Sequence, residues 1–124
     1  MAKLGAHGYE IGRALMQRKL NHPALFVFMS DGTTLYRTPW HGWKVYSHIR
    51  KGYSLPDWIA KREAVLASLP DWRKPKTLPS MDTVRRQALG DEPADTPCPH
   101  CGPVEPDGQC EHGAPTWARI FAVI

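Results

Sequence analysis

Ala24-Leu25-Phe26-Val27-Phe28-Met29, then Ser30-Asp31-Gly32, then Thr33-Thr34-Leu35-Tyr36-Arg37: this stretch decides the fold. Its first part is an unbroken apolar run with aromatic and β-branched members, the pattern of a strand buried on both faces. Asp31-Gly32 predicts a two-residue hairpin turn, because both residues tolerate the positive φ that such turns need. Thr33 to Arg37 is then the returning strand. Beyond Pro39-Trp40-His41-Gly42, the segment Trp43 to Arg50 alternates, with Trp43, Val45 and Ile49 on one face and Lys44, Tyr46, His48 and Arg50 on the other. These segments form an antiparallel meander. Upstream, Tyr9 to Gln17 contains helix formers, but Gly8 and Gly12 count against a helix. The segment reads as an edge strand.

Ser54-Leu55-Pro56-Asp57 is a helix start: a capping hydroxyl, a proline in the first turn and an acid at the positive end of the dipole. Trp58, Ile59, Val65, Leu66 and Leu69 form one apolar stripe, with Lys61, Arg62 and Glu63 off it. This helix is expected to cover the apolar face of the meander and to stop at Pro70. Arg73 to Pro79 is a basic, proline-punctuated connection. Ser80 caps a short second helix from Met81 to Leu89, and Gly90 ends it. Asp91 to Pro97 is an acidic linker, and the apolar end, Trp117 to Ile124, is expected to dock as a strand. The fold class is therefore α+β: an antiparallel β-meander with one covering helix, a short second helix and a zinc-stapled C-terminal tail. Residues 1–90 form a basic α+β domain expected to fold without the rest. Residues 91–124 hold the acidic linker, the zinc knuckle and the C-terminal apolar strand.

With 124 residues the chain has room for one ordinary domain, or a small one with an appendage. It has neither a bilayer-length apolar run nor a secretory signal, so the expected setting is cytoplasmic, without membrane association. The formal net charge of +4 hides a split. Residues 1–90 carry 15 basic and 6 acidic residues, a net +9, and residues 91–124 carry 1 and 6, a net −5. A body this basic favours polyanionic partners.

All three cysteines lie near the C-terminus, in Cys98-Pro99-His100-Cys101-Gly102 and Cys110-Glu111-His112. The first piece is a knuckle whose spacing aims two thiolates at one point. Cys110 and His112, two apart in extended backbone, face the same way. Cys98, Cys101, Cys110 and His112 thus make a closed tetrahedral set suited to structural Zn²⁺. His100, inside the knuckle turn, points away from the metal. A disulfide framework would want an even count, and a redox dithiol would leave Cys110 and His112 without a role. A closed set has no open position for substrate, and its neighbours Glu105, Asp107 and Glu111 are acidic, so its role is to staple the tail.

Lys44, Tyr46, His48 and Arg50, with Arg37 nearby, interleave cations and rings as single-stranded nucleic acid requires; the competing reading is a solvated sheet face. Arg85 and Arg86 belong to a second basic cluster, and Trp40, beside Pro39, is the candidate anchor for a protein contact. No phosphate-binding glycine loop, HExxH, GxSxG or paired-carboxylate pattern occurs, so no catalytic residue is assigned.

Gly8-Tyr9-Glu10-Ile11-Gly12-Arg13, Met29-Ser30-Asp31-Gly32-Thr33 and Gly42-Trp43-Lys44-Val45 resemble segments of small uncharacterised accessory proteins of phages and prophages. The resemblance covers about the first 50 residues and excludes the cysteine cluster. It implies a protein that binds and blocks host machinery, as anti-CRISPR inhibitors do, in the host cytoplasm. Residues and resemblance together lead to a non-enzymatic, zinc-stabilised binding protein. Its partner is either nucleic acid or an acidic surface of a nucleic-acid-handling protein.

Overall fold

Six consecutive side chains from Ala24 to Met29 are buried, which requires cover on both faces of their strand. The computed structural model, which describes residues 7–17, 23–49 and 52–123, supplies it. Strands β1 (Glu10–Gln17), β2 (Pro23–Met29), β3 (Thr34–Arg37) and β4 (Lys44–Ser47) form one antiparallel sheet in the order β1-β2-β3-β4. The edge position expected for β1 and the meander are both present. Helix α1 (Leu55–Ser68) covers the face carrying Ala14, Ala24, Phe26 and Phe28. Helices α2 (Met81–Ala88) and α3 (Trp117–Ile120) cover the opposite face, at Leu15 and Leu25. Among the described residues, no helix is long and apolar enough to cross a membrane.

The β2–β3 turn differs from the two-residue form. Gly32 N–H donates to Met29 O at 3.0 Å and Met29 N–H to Thr33 O at 2.9 Å, so Ser30, Asp31 and Gly32 make a three-residue connection. Only Gly32, at φ 92°, takes the left-handed region; Asp31 instead accepts the Thr33 N–H at 2.9 Å through its carboxylate. A Cβ at position 32 would run into the Ile49 side chain. Gly32→Ala is therefore expected to lose about 1–3 kcal/mol from backbone strain, with the clash adding to it. A urea midpoint equal to wild type would contradict this.

Strand β4 departs from strict alternation. Tyr36 pairs with Lys44 and Leu35 with Val45, but Thr34 pairs with Ser47, so Tyr46 is an extra residue at a bulge. Beyond the bulge the face inverts. Trp43 packs against Val27, Met29 and Leu35, Val45 is exposed, and Ile49 packs on the α1 side with Phe28 and Trp58. Trp43, Val45 and Ile49 therefore do not share one core face.

The α1 stripe also shifts. Ser54 caps the helix, accepting the Asp57 N–H at 3.2 Å, and Trp58 is buried. Ile59, Leu66 and Leu69 pack beside it, but Val65 is exposed. Arg62, one turn from both Trp58 and Leu66, takes the inner position, with its guanidinium 5.2 Å from the Phe28 ring centre and 5.3 Å from that of Trp58. Gly12 leaves room for Leu66 to lie directly on β1.

The C-terminal segment is a turn of helix, not a strand. Thr116 caps it by accepting the Arg119 N–H at 3.2 Å. The i, i+4 spacing stacks Trp117 on Phe121, with ring centres 6.0 Å apart. Trp117, Ala118 and Phe121 join Leu15, Leu25, Met81 and Val84 in one cluster, so a single core spans the junction at residue 90. Buried Gln87 tightens that junction: its side chain donates to the Asp95 carboxylate and accepts the Asp95 N–H, both at 3.2 Å.

Candidate metal centre and basic face

Two tight turns bring the cysteine pieces together. The knuckle from Cys98 to Cys101 begins with the Cys98 N–H donating to Thr96 Oγ1 at 3.2 Å. The second piece is not extended. Gly113 N–H donates to Cys110 O at 2.9 Å and Cys110 N–H to Ala114 O at 3.0 Å, a closed turn with Gly113 at φ 84°. The turn aims backbone N–H groups of His112 and Ala114 at the Cys110 sulfur, which extended chain could not do.

One donor atom from each of Cys98, Cys101, Cys110 and His112 lies within 4.8 Å of all the others. His112 Nδ1 is 3.5 Å from the Cys98 sulfur and 3.0 Å from that of Cys101. Metal–ligand bonds of about 2.3 Å to sulfur and about 2.0–2.1 Å to nitrogen give a tetrahedron with S···N edges of about 3.6 Å. The quartet could hold a metal ion with little adjustment. Cys98 and Cys110 are buried, and Ala114, Trp72 and Val104 pack around the sulfurs. None of the three cysteines is in a disulfide. His100 lies outside the quartet, with its Nε2 2.9 Å from Asp71 Oδ2. That contact, aided by Lys74, holds the Asp71 carboxyl below its usual range.

The thiols titrate unequally. Burial, together with the sulfurs of Cys110 and Cys98, pushes Cys101 up to about 11. Burial would also raise Cys110, but the Ala114 N–H, the Cys101 side chain and the His112 N–H outweigh it and bring Cys110 down to about 6. Metal binds thiolates, so every proton still on the cluster must leave. At neutral pH, Cys101 supplies one such proton while Cys110 is already ionised. Below about pH 6 the Cys110 proton must be displaced as well. Metal affinity is therefore expected to fall more steeply below pH 6 than above it, by about a further tenfold per pH unit, in a chelator-competition titration. A constant slope would contradict the low Cys110 value.

The residues expected to bind a partner do not form one patch. Arg37 pairs with Leu25, on the α2–α3 side of the sheet, whereas Lys44 pairs with Tyr36, which sits with Phe26 on the α1 side. Tyr46 joins that second side, its ring 4.8 Å from Phe26 and 5.8 Å from Tyr36. His48 is exposed, with Nδ1 3.4 Å from Thr33 Oγ1. Arg50 lies outside the described residues. Arg85 and Arg86 are exposed on α2 but engaged, Arg85 3.9 Å from Asp82 and Arg86 2.6 Å from Glu92. Trp40 is half-exposed, and its ring meets Phe121 edge-on at 6.2 Å.

The structure adds three residues on the α1 side. Tyr53, Lys61 and Arg62 converge with Tyr46 and His48 around a cleft of about 300 Å³ between β4 and α1. Lys61 Nζ donates to Tyr53 Oη at 2.7 Å. The helical offset of Arg62 from Trp58 was the available signal in the sequence; the approach of Tyr53 to Lys61 depends on how the chain enters α1. No protein-family model, curated protein or solved structure matches this chain.

Proposed function

We propose that this chain is a non-enzymatic binding protein, stapled by a structural zinc ion, that engages single-stranded nucleic acid with the α1 side of β4. The convergence of three thiols and one imidazole on a single point supports the zinc reading. Thiolate-rich tetrahedral sets favour Zn²⁺, and four protein ligands leave no coordination position for a substrate. Lys44, Tyr46 and His48, all exposed, support the binding reading: cations meet phosphates and rings accept stacked bases.

Lys44→Ala tests the surface, since an exposed side chain can be removed with little effect on folding. Affinity for a labelled oligothymidylate is expected to fall, and the slope of log K against log salt to shrink by about 0.7, one phosphate contact on a single strand. An unchanged slope would show that this face is merely solvated. A second reading is a phage-type inhibitor that blocks host nucleic-acid machinery. It draws on the exposed acids Glu105, Asp107 and Glu111 beside the metal centre and on half-exposed Trp40. That protein would bind no oligonucleotide at any salt concentration.

A further inference from the structure

The cleft between β4 and α1 carries chemistry that the open sheet face does not. Among the described residues, Lys61 and Arg62 line it as cations, with His48 beside them, and no carboxylate does. The Lys61 ammonium is held by Tyr53 Oη at 2.7 Å and lies 4.9 Å from the centre of the Tyr53 ring. The Arg62 guanidinium lies 5.2 Å from the centre of the Phe28 ring and 5.3 Å from that of Trp58, and its buried Nε makes no hydrogen bond within the protein. A charged donor left in that state is costly, and an anionic acceptor beside the guanidinium would offset the cost. Arg62, Tyr46 and Ser47 also line an adjoining recess of about 120 Å³ whose other walls include Phe26, Phe28 and Met16. Two cations thus stand next to an aromatic recess of a size suited to a flat ring.

We propose that this cleft is a nucleotide-binding site, in which Lys61 and Arg62 take the phosphate and the base lies against Tyr46 in the adjoining recess. The proposal deepens the nucleic-acid reading and rests on it for the expectation that the nucleotide is one unit of a single strand. The phosphate gives affinity through charge-assisted hydrogen bonds. The ring gives preference for a nucleotide over inorganic phosphate through stacking.

The test is a titration of the full-length protein with adenosine monophosphate, adenosine and inorganic phosphate, read from the Trp58 indole resonance assigned by Trp58→Phe. The monophosphate is expected to shift that resonance and to bind about tenfold more tightly than adenosine, as loss of a charged hydrogen-bonding group implies. Lys61→Gln, an exposed substitution, should weaken the monophosphate by about tenfold and leave adenosine unchanged. No Trp58 shift at millimolar monophosphate, or equal binding by Lys61→Gln, would overturn the site. A parallel titration with oligothymidylate separates the two ideas. If the oligonucleotide binds through Lys44 but Lys61→Gln has no effect on either ligand, the cleft is overturned and the sheet-face reading stands. If monophosphate binds as described and no oligonucleotide does, the cleft stands as a site for free nucleotides and the nucleic-acid reading fails.

Discussion

Stripping the metal from Cys98, Cys101, Cys110 and His112 is expected to collapse the C-terminal third and to destabilise the sheet along with it. Between Pro97 and Ala114 the chain has few apolar side chains of its own, and those near the sulfurs, Val104 and Ala114, pack around the donor quartet. Structural zinc in small peptides contributes roughly 10–16 kcal/mol of apparent binding free energy at neutral pH, and in such sites binding energy is folding energy. The loss does not stop at the centre. Trp72 packs on the same cluster, and the segment after Ala114 leads directly into Thr116 and α3. Cys101→Ser should reproduce the effect of a chelator: loss of metal, a fall in melting temperature of tens of degrees and loss of tryptophan near-UV signal. His100→Ala should retain the metal, because it removes no donor of the quartet, only exposed contacts to Asp71 and to the His112 ring. A chelated protein that melted at the holoprotein's temperature would refute the staple.

Trp117→Ala should be the most damaging single substitution in the apolar interior. Trp117 is 6% exposed and stacks on Phe121 in the cluster shared with Leu15 and Leu25. Removing a buried tryptophan costs roughly 3–5 kcal/mol. Domains of this size are stable by only about 5–15 kcal/mol, so about a fifth or more of the total is at stake. The mode of unfolding matters as much as the size of the loss. Residues 1–90 hold the meander, its covering helix and most of the apolar residues, which suggests that they fold independently, but the core crosses that boundary, and Gln87 holds Asp95 from within α2. Sheet and tail signals should therefore melt at one midpoint. A tail that melted early over an unaffected sheet would show two independent units.

What could be read from the residues was whatever obeys a local rule. The buried run from Ala24 to Met29, the caps at Ser54 and Ser80, and the gathering of three thiols with His112 each follow from short-range pattern or ligand chemistry. The misplacements share a different origin. One inserted residue at Tyr46 inverts the face of everything after it, and alternation alone cannot reveal an insertion. Arg62 occupies an inner position because its guanidinium can lie on two rings, an outcome that a polarity rule assigns to solvent. The segment after Thr116 is apolar enough for a strand. Its hydroxyl cap and the Trp117–Phe121 spacing fit a helix equally well locally, and the space beside α2 decides between them. The second cysteine turn was missed because the hydrogen bonds that stabilise thiolate sulfur belong to backbone conformation, not residue type.

The 3-10 turn at Asp71–Arg73 links the two ends of this architecture. Trp72 leans on the sulfur cluster, while the Arg73 guanidinium donates to the Leu15 carbonyl on edge strand β1 at 2.7 Å. Nearby, Arg13 reaches from the same strand to the Lys76 carbonyl at 2.6 Å. An edge strand with free carbonyls invites another copy of the chain to add itself and begin an aggregate. At β1 that invitation is withdrawn by an arginine whose neighbour packs on the metal cluster, and at β4 by the bulge at Tyr46 and the charge of Lys44. The turn thus ties the sulfur cluster to the sheet edge whose carbonyl Arg73 occupies, although the two lie on different parts of the chain.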